Sequence, residues 1–240
     1  MNSSGDEPTP PSIRRRDWRS VPEAEYRQIR LLWEEAFPPG ERSAHDTVSR
    51  RDSTWLWTAH SADGHLIGFA TALRLSSSGV AYLEYLAVSP SARGTGTGAA
   101  MLSAIATDLQ AERTVNGIVL EVEDPLRTPG RDPLLARRVA FYERWGARPV
   151  PSLNDYSMPD LANPGGLVPM TLLWRGIRDE SMLTPDGVAK VLTDLYRGYY
   201  AHAASEDHLE NMLERVTPAV PAVSAARGPG CRSGHRPSRS

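Results

Sequence analysis

The chain has 240 residues, 40% hydrophobic and 23% charged, with a formal charge of −2 and a pI near 6.3. That length suits one to two domains with a sizeable core, and the balanced charge argues against a general nucleic-acid binder, which needs a basic surplus. Lys190 is the only lysine among 27 basic residues and follows Val188 and Ala189 rather than glycines, so neither a lysine-bearing phosphate loop nor Schiff-base chemistry is expected.

Residues 1–12 are small, polar and rich in proline, a composition that predicts disorder. Arg14, Arg15 and Arg16 precede Asp17, Trp18, Arg19 and Ser20, not an apolar stretch, so no export signal is expected. No apolar run approaches the ~20 residues that span a bilayer, and the expectation is a cytoplasmic protein that does not engage membranes. Ser20, Val21, Pro22 and Glu23 fit a capping box. Tyr26, Ile29, Leu32, Trp33 and Ala36 then recur at helical spacing, until Pro38, Pro39 and Gly40 stop the helix. Ser43 can cap a short second helix through Val48.

Strands are predicted over 54–60 and 66–75, joined at Asp63 and Gly64, both of which accept positive φ. A further strand is predicted over 81–88. Next comes the turn 89–98, with Arg93 and Gly94, Gly96 and Gly98, and then an apolar-periodic helix to Leu109. Residues 117–123 read as a strand, 124–133 as a loop and 134–145 as a helix ended by Gly146. Strands at 149–157 and 168–174 follow. Thr184 opens a helix to about Tyr200, and Ser205 opens a last one ending near Val216. Beyond it, residues 217–240 carry Pro, Gly, Ser and Arg but no acid and are predicted to be disordered. Cys231 lies there as the single cysteine, so no internal disulfide is possible. His60 and His65 flank a hairpin and His202 and His208 are six apart, so neither pair gives a zinc pattern, and no metal is expected.

The segment 82–98 runs strand, turn, glycines, helix. Glycines let the backbone approach a ligand, and amides freed at a helix N-terminus favour an anion. This points to a phosphate or pyrophosphate ligand. The alternative is a flexible glycine loop with no ligand. Gly94, Gly96 and Gly98 do not fit the dinucleotide fingerprint G-x-G-x-x-G. They do fit Arg-x-x-Gly-x-Gly, read as Arg93, Gly96 and Gly98, after Leu86, Ala87, Val88 and Pro90. With a second segment running from Ala140 through Phe141, Tyr142, Glu143, Arg144, Trp145 and Gly146 to Ala147, the sequence resembles the GCN5-related N-acetyltransferases (GNAT) over roughly residues 13–174.

The resemblance implies an α/β (α+β) fold: a mixed, mostly antiparallel sheet flanked by helices and splayed between its fourth and fifth strands, 81–88 and 117–123. It implies a transferase domain over 13–175, followed by a helical extension over 176–216. Acetyl-CoA would be the acyl donor, its pyrophosphate held by the backbone of Arg93, Gly94, Thr95, Gly96, Thr97 and Gly98. Its pantetheine arm would pair with the strand at Leu86, Ala87 and Val88. The chemistry needs a base and benefits from an acid. Glu84, Glu121 and Glu123 are the candidate bases, and Tyr142 matches the family tyrosine that protonates the leaving thiolate. Each has a structural alternative: the glutamates could pair with arginines, and Tyr142 could be packing. Many members carry an asparagine after the strand that ends here at Glu123. This chain has Asp124 and a proline-rich loop instead.

Phe37, Glu41, Glu123 and Tyr156 are candidate acceptor-binding residues. The acceptor implied is a small-molecule or peptide amine, attacked directly in a ternary complex. Two other readings stay open: a catalytically silent acyl-CoA-binding module, and an interaction protein whose C-terminal helices make a homodimer.

Overall fold

The computed structural model describes residues 10–43, 54–130, 132–179 and 181–216. The predicted helix over 43–48 and the tail 217–240, with Cys231, lie outside the described residues apart from Ser43, as do nine of the first twelve residues.

An eight-stranded sheet organises the chain. Its strands are β1 (Ser12–Arg16), β2 (Thr54–His60), β3 (Leu66–Leu75), β4 (Val80–Val88), β5 (Gly117–Glu123), β6 (Arg148–Pro149), β7 (Ser157–Pro159) and β8 (Leu167–Gly176). The order is β1-β2-β3-β4-β5-β8-β6, with β7 against β8. Every pairing is antiparallel except β4 with β5. The helices are α1 (Glu23–Ala36), α2 (Thr97–Ala111), α3 (Pro133–Arg144), α4 (Pro185–Thr193) and α5 (Glu206–Val216), with a π-turn at Asp194–Tyr199 between the last two.

The two faces of the sheet carry different layers, as period-two alternation demands. Ala70, Ala72, Ala81, Leu83, Ile118, Leu120 and Val122 pack under α2 and α3. On the opposite face, Leu56, Phe69, Tyr85 and Ala87 meet Ile29, Leu32 and Trp33 of α1. Farther along that face, Leu73, Val80, Tyr82, Val119, Leu172 and Trp174 meet Val188, Val191, Leu195, Tyr196, Leu209 and Met212 of the C-terminal segment.

Two irregularities in β4 shape the centre. Thr71 faces Tyr85 and Ala72 faces Leu83, so Glu84 is an extra residue bulged out of the ladder. The bulge changes the parity of the strand. Tyr82 before it and Tyr85 and Ala87 after it reach the same face. Secondly, β4 pairs with β5 only from Val80, Ala81 and Tyr82 to Gly117, Ile118 and Val119. Beyond those pairs the two strands separate, as expected of the fourth and fifth strands.

Several local readings need correction. Ser12–Arg16 forms an edge strand on β2 that carried no apolar alternation to reveal it. The capping box does not form. Pro22 is the N-cap of α1, with no side-chain cap, while the Ser20 hydroxyl donates to the Asp17 carbonyl at 2.7 Å. Residues 149–157 are not one strand: only Arg148–Pro149 and Ser157–Pro159 pair. Between them, Leu153 bonds back to Val150 and Tyr156 to Leu153, turns that a spacing of three apolar residues allows and a strand does not. The helix predicted to reach Tyr200 leaves α geometry at Asp194.

Candidate functional site

The gap between β4 and β5 opens into a cavity of about 950 Å³. One end is the glycine turn. After β4, a 3-10 turn at Pro90–Ala92 leads to Gly94 and Gly96, with φ of 79° and 87°, a left-handed region that glycine enters without penalty. Gly96 caps α2 with no side chain involved. The first helical amide bond runs from Ala100 to Gly96, so the amides of Thr97, Gly98 and Ala99 have no intrahelical acceptor. These three residues line the cavity, with Arg93, Gly94 and Gly96. Gly98 serves packing: a Cβ there would lie 3.2 Å from the Phe141 ring of α3.

Leu86, Ala87 and Val88 also line the cavity. Thr95 is turned away from it, donating to the Ala92 carbonyl at 2.8 Å and pairing with the Thr97 hydroxyl at 2.9 Å. The Arg93 guanidinium donates to the Val88 carbonyl at 3.1 Å and to Glu35 at 3.5 Å, which ties the turn to the end of β4. Arg137, Arg138 and Arg144 add positive charge to the cavity.

The other end is acidic and aromatic. Glu84, Glu121, Glu123 and Glu41 all line it. Glu84, on the bulge, accepts from Thr71 Oγ1 at 3.1 Å, from Ser43 Oγ at 3.4 Å and from the Tyr199 hydroxyl. Glu121 accepts three phenols: Tyr82 and Tyr200, each at 2.5 Å, and Tyr156. Burial raises the Glu121 carboxyl above its ordinary range, and the three phenols oppose that shift. The Glu123 carboxyl neighbours that of Glu41. Burial first, then that neighbouring carboxyl, push Glu41 up to about 8, against the pull of Arg138. The backbone here is pinned as well. Tyr85 donates to the Glu41 carbonyl at 3.1 Å and accepts from the Ser43 amide at 2.9 Å. Phe37 packs on Tyr85, ring centroids 4.7 Å apart.

Tyr142, on α3, is buried and lines the same cavity. Burial pushes its phenol up to about 12, so it holds its proton across the neutral range. Tyr156 differs from its expected place. It is fully buried behind Glu121 and is a support of that carboxylate, not a wall of the cavity. Among the residues that sequence reasoning missed, Tyr199 and Tyr200 matter most. Their spacing with Leu192, Leu195 and Tyr196 reads as an ordinary core stripe, and nothing local sets them apart. Asp124, in place of the family asparagine, accepts from the amides of Leu126 and Arg127 and binds the Arg127 guanidinium at 2.7 Å. Arg127 in turn reaches the Met170 and Tyr156 carbonyls, so this pair locks the loop. Among the described residues there is no group of three His, Cys, Asp or Glu side chains able to hold a metal.

The arrangement sets free helix amides and arginines, four carboxyl groups and a phenol that keeps its proton on the walls of one cavity. A model of the acetyltransferase (GNAT) family matches residues 14–147. No curated protein sequence matches the chain significantly. Among solved structures, a protein described as a GNAT acetyltransferase from Bacteroides thetaiotaomicron aligns with TM-score 0.62 and 23% identity. The alignment covers 79% of this chain and 98% of that one. Arabidopsis thaliana NAA60 in complex with acetyl-CoA aligns with TM-score 0.52 and 17% identity, covering 70% and 100%. A GNAT-family protein from Desulfovibrio desulfuricans aligns with TM-score 0.51 and 18% identity, covering 70% and 99%. At these identities the shared property is the fold.

Proposed function

The chain belongs to the acetyltransferase (GNAT) family, and from that premise we propose that it is an acetyl-CoA-dependent N-acyltransferase acting on a primary amine of a small molecule or peptide. The observation that carries this reading is the continuity of one cavity. It runs from the uncapped N-terminus of α2, through the parted strands β4 and β5, to the carboxylates Glu84, Glu121, Glu123 and Glu41. A pyrophosphate suits the amides of residues 97–99, and the unpaired side of β4 at Leu86 and Val88 suits an extended amide-bearing arm. That a protein of this fold binds acetyl-CoA supports the choice of donor.

In the reaction the amine nitrogen attacks the thioester carbonyl carbon, and the carbon–sulfur bond then breaks. Glu84 or Glu121 takes a proton from the bound ammonium, directly or through water, and so frees the nitrogen lone pair that attacks. Tyr142, kept neutral by burial, gives its proton to the departing thiolate. The acidic end, with Phe37 and Tyr85 beside it, favours a cationic acceptor. No covalent acyl-enzyme is invoked, so amine and donor must be bound together.

A thiol-release assay with acetyl-CoA and a panel of amines tests this. Turnover on at least one amine is expected, with Tyr142→Phe at least tenfold slower and CoA binding unchanged. CoA binding without turnover on any amine would instead favour a silent acyl-CoA-binding module, and an unaltered rate in Tyr142→Phe would remove that residue's role.

A further inference from the structure

We propose that Tyr199 and Tyr200, presented side by side by the π-turn, are positioning residues for the two candidate bases, so that the C-terminal segment is a working part of the catalytic site. This rests on the acyl-transfer reading above.

The two tyrosines are neighbours in sequence and serve opposite sides of the gap. Tyr199 donates to Glu84 on β4, while Tyr200 donates to Glu121 on β5 at 2.5 Å. Their rings meet edge to face, centroids 4.6 Å apart. Past Tyr82 and Val119 no ladder bond links β4 to β5, so the sheet itself does not fix the separation of these carboxylates there. The tyrosine pair does so, helped by Tyr82, which lies on β4 and donates across to Glu121.

The π-turn explains how adjacent residues can both reach the sheet. In an α-helix successive side chains diverge by about 100°, which aims the tips of two neighbours well apart. Here the Tyr200 amide bonds to the Leu195 carbonyl, five residues back, at 2.7 Å. The wider turn advances less per residue, and such turns recur at functional sites. Its start is anchored. Asp194 accepts from the amides of Ser77 and Ser78 and from both hydroxyls at the β3–β4 turn. Tyr196 donates to the Ser157 carbonyl. Burial holds both Tyr199 and Tyr200 well above their ordinary range, so they remain donors. Among the described residues, the hydroxyls of Tyr82, Tyr156 and Tyr200 hold Glu121.

The test uses the full chain with Tyr199→Phe and Tyr200→Phe, which keep the rings and remove one donor each. Tyr82 on β4, Tyr156 before β7 and Tyr200 bond Glu121, Tyr196 and Glu41 interact with it electrostatically, and Glu84, Glu123, Arg138 and Tyr199 line the same cavity. All but the mutated phenol are retained. Carboxyl carbon NMR, assigned with Glu121→Gln, follows Glu121 through pH. Losing a donor to the anion is expected to move its titration up by about one unit in Tyr200→Phe and to leave it in place in Tyr199→Phe. With acetyl-CoA and a panel of putrescine, tyramine and alanyl-alanine, Tyr199→Phe is expected to lower kcat about tenfold without changing the KM for acetyl-CoA. Folded variants with an unmoved Glu121 titration and wild-type kcat would overturn the positioning role. The titration needs no turnover. If Glu84→Gln and Glu121→Gln both react at the wild-type rate, the base assignment has failed, and the NMR result still decides whether Tyr200 sets Glu121.

Discussion

Glu41 illustrates how a single side chain acquires its chemistry from its neighbours. As a free side chain its carboxyl titrates near 4.5; folded against Glu123 and out of water, it titrates near 8. Between those pH values the folded chain keeps a proton that the unfolded chain has released. Stability from this group is therefore full below about 4.5, falls as pH rises towards about 8, and levels off above it. Glu121, raised by burial, acts in the same direction. We expect urea midpoints to fall between pH 5 and pH 8.5, and Glu41→Gln to flatten that dependence. An equally steep fall in Glu41→Gln would assign the proton elsewhere. Gly117 gives a simpler case. A Cβ there would sit 2.1 Å from the Trp174 ring, so Gly117→Ala should lose about 1–3 kcal/mol through overpacking, read as a lower denaturant midpoint. The sequence made the glycine turn legible because positive φ is a local demand. It concealed Gly117, whose reason is a ring 57 positions away.

At the scale of elements, the bulge in β4 and the π-turn do related work. Each adds a residue to a regular repeat and so re-aims a side chain: the bulge exposes Glu84 to the gap, and the π-turn brings Tyr199 and Tyr200 to face it. Neither is readable from periodicity, because the apolar pattern on both sides of the insertion continues. The π-turn depends on its anchor. Asp194→Ala would strip two backbone amides and two hydroxyls of their charged acceptor, a loss of roughly 2–3 kcal/mol. We expect a lower unfolding midpoint together with reduced turnover. Asp194→Asn, which keeps an acceptor oxygen, should recover part of both. If the alanine variant loses stability but turns over normally, the turn does not need this anchor to hold Tyr199 and Tyr200 in place.

Across the whole molecule, residues 185–216 share one apolar cluster with β3, β4, β5 and β8. Val188, Val191, Leu192, Leu195, Leu209, Met212 and Val216 are all buried on the chain's own sheet. A chain cut after Arg178 would expose Tyr82, Val119, Leu172 and Trp174 and remove both tyrosines of the site. It is expected to aggregate or to bind a hydrophobic dye, and a monomeric, dye-silent fragment with native circular dichroism would contradict that. No helix among the described residues is long and apolar enough to cross a membrane.

The motifs around Arg93 and Tyr142 carried the family resemblance, and the sequence by itself determined the sheet's central strands and the glycine turn with α2 behind it. These follow from alternation, positive φ and helix capping, all of which act over a few residues. Only the tertiary structure decided the environment of each carboxylate. It set Tyr82, Tyr156 and Tyr200 on Glu121, Tyr199 and Ser43 on Glu84, and Glu123 against Glu41. Burial and hydrogen bonding control acidity through space. Partners 35 to 115 positions apart meet only once the sheet is assembled, and Tyr199 and Tyr200 only when the C-terminal segment closes over its face.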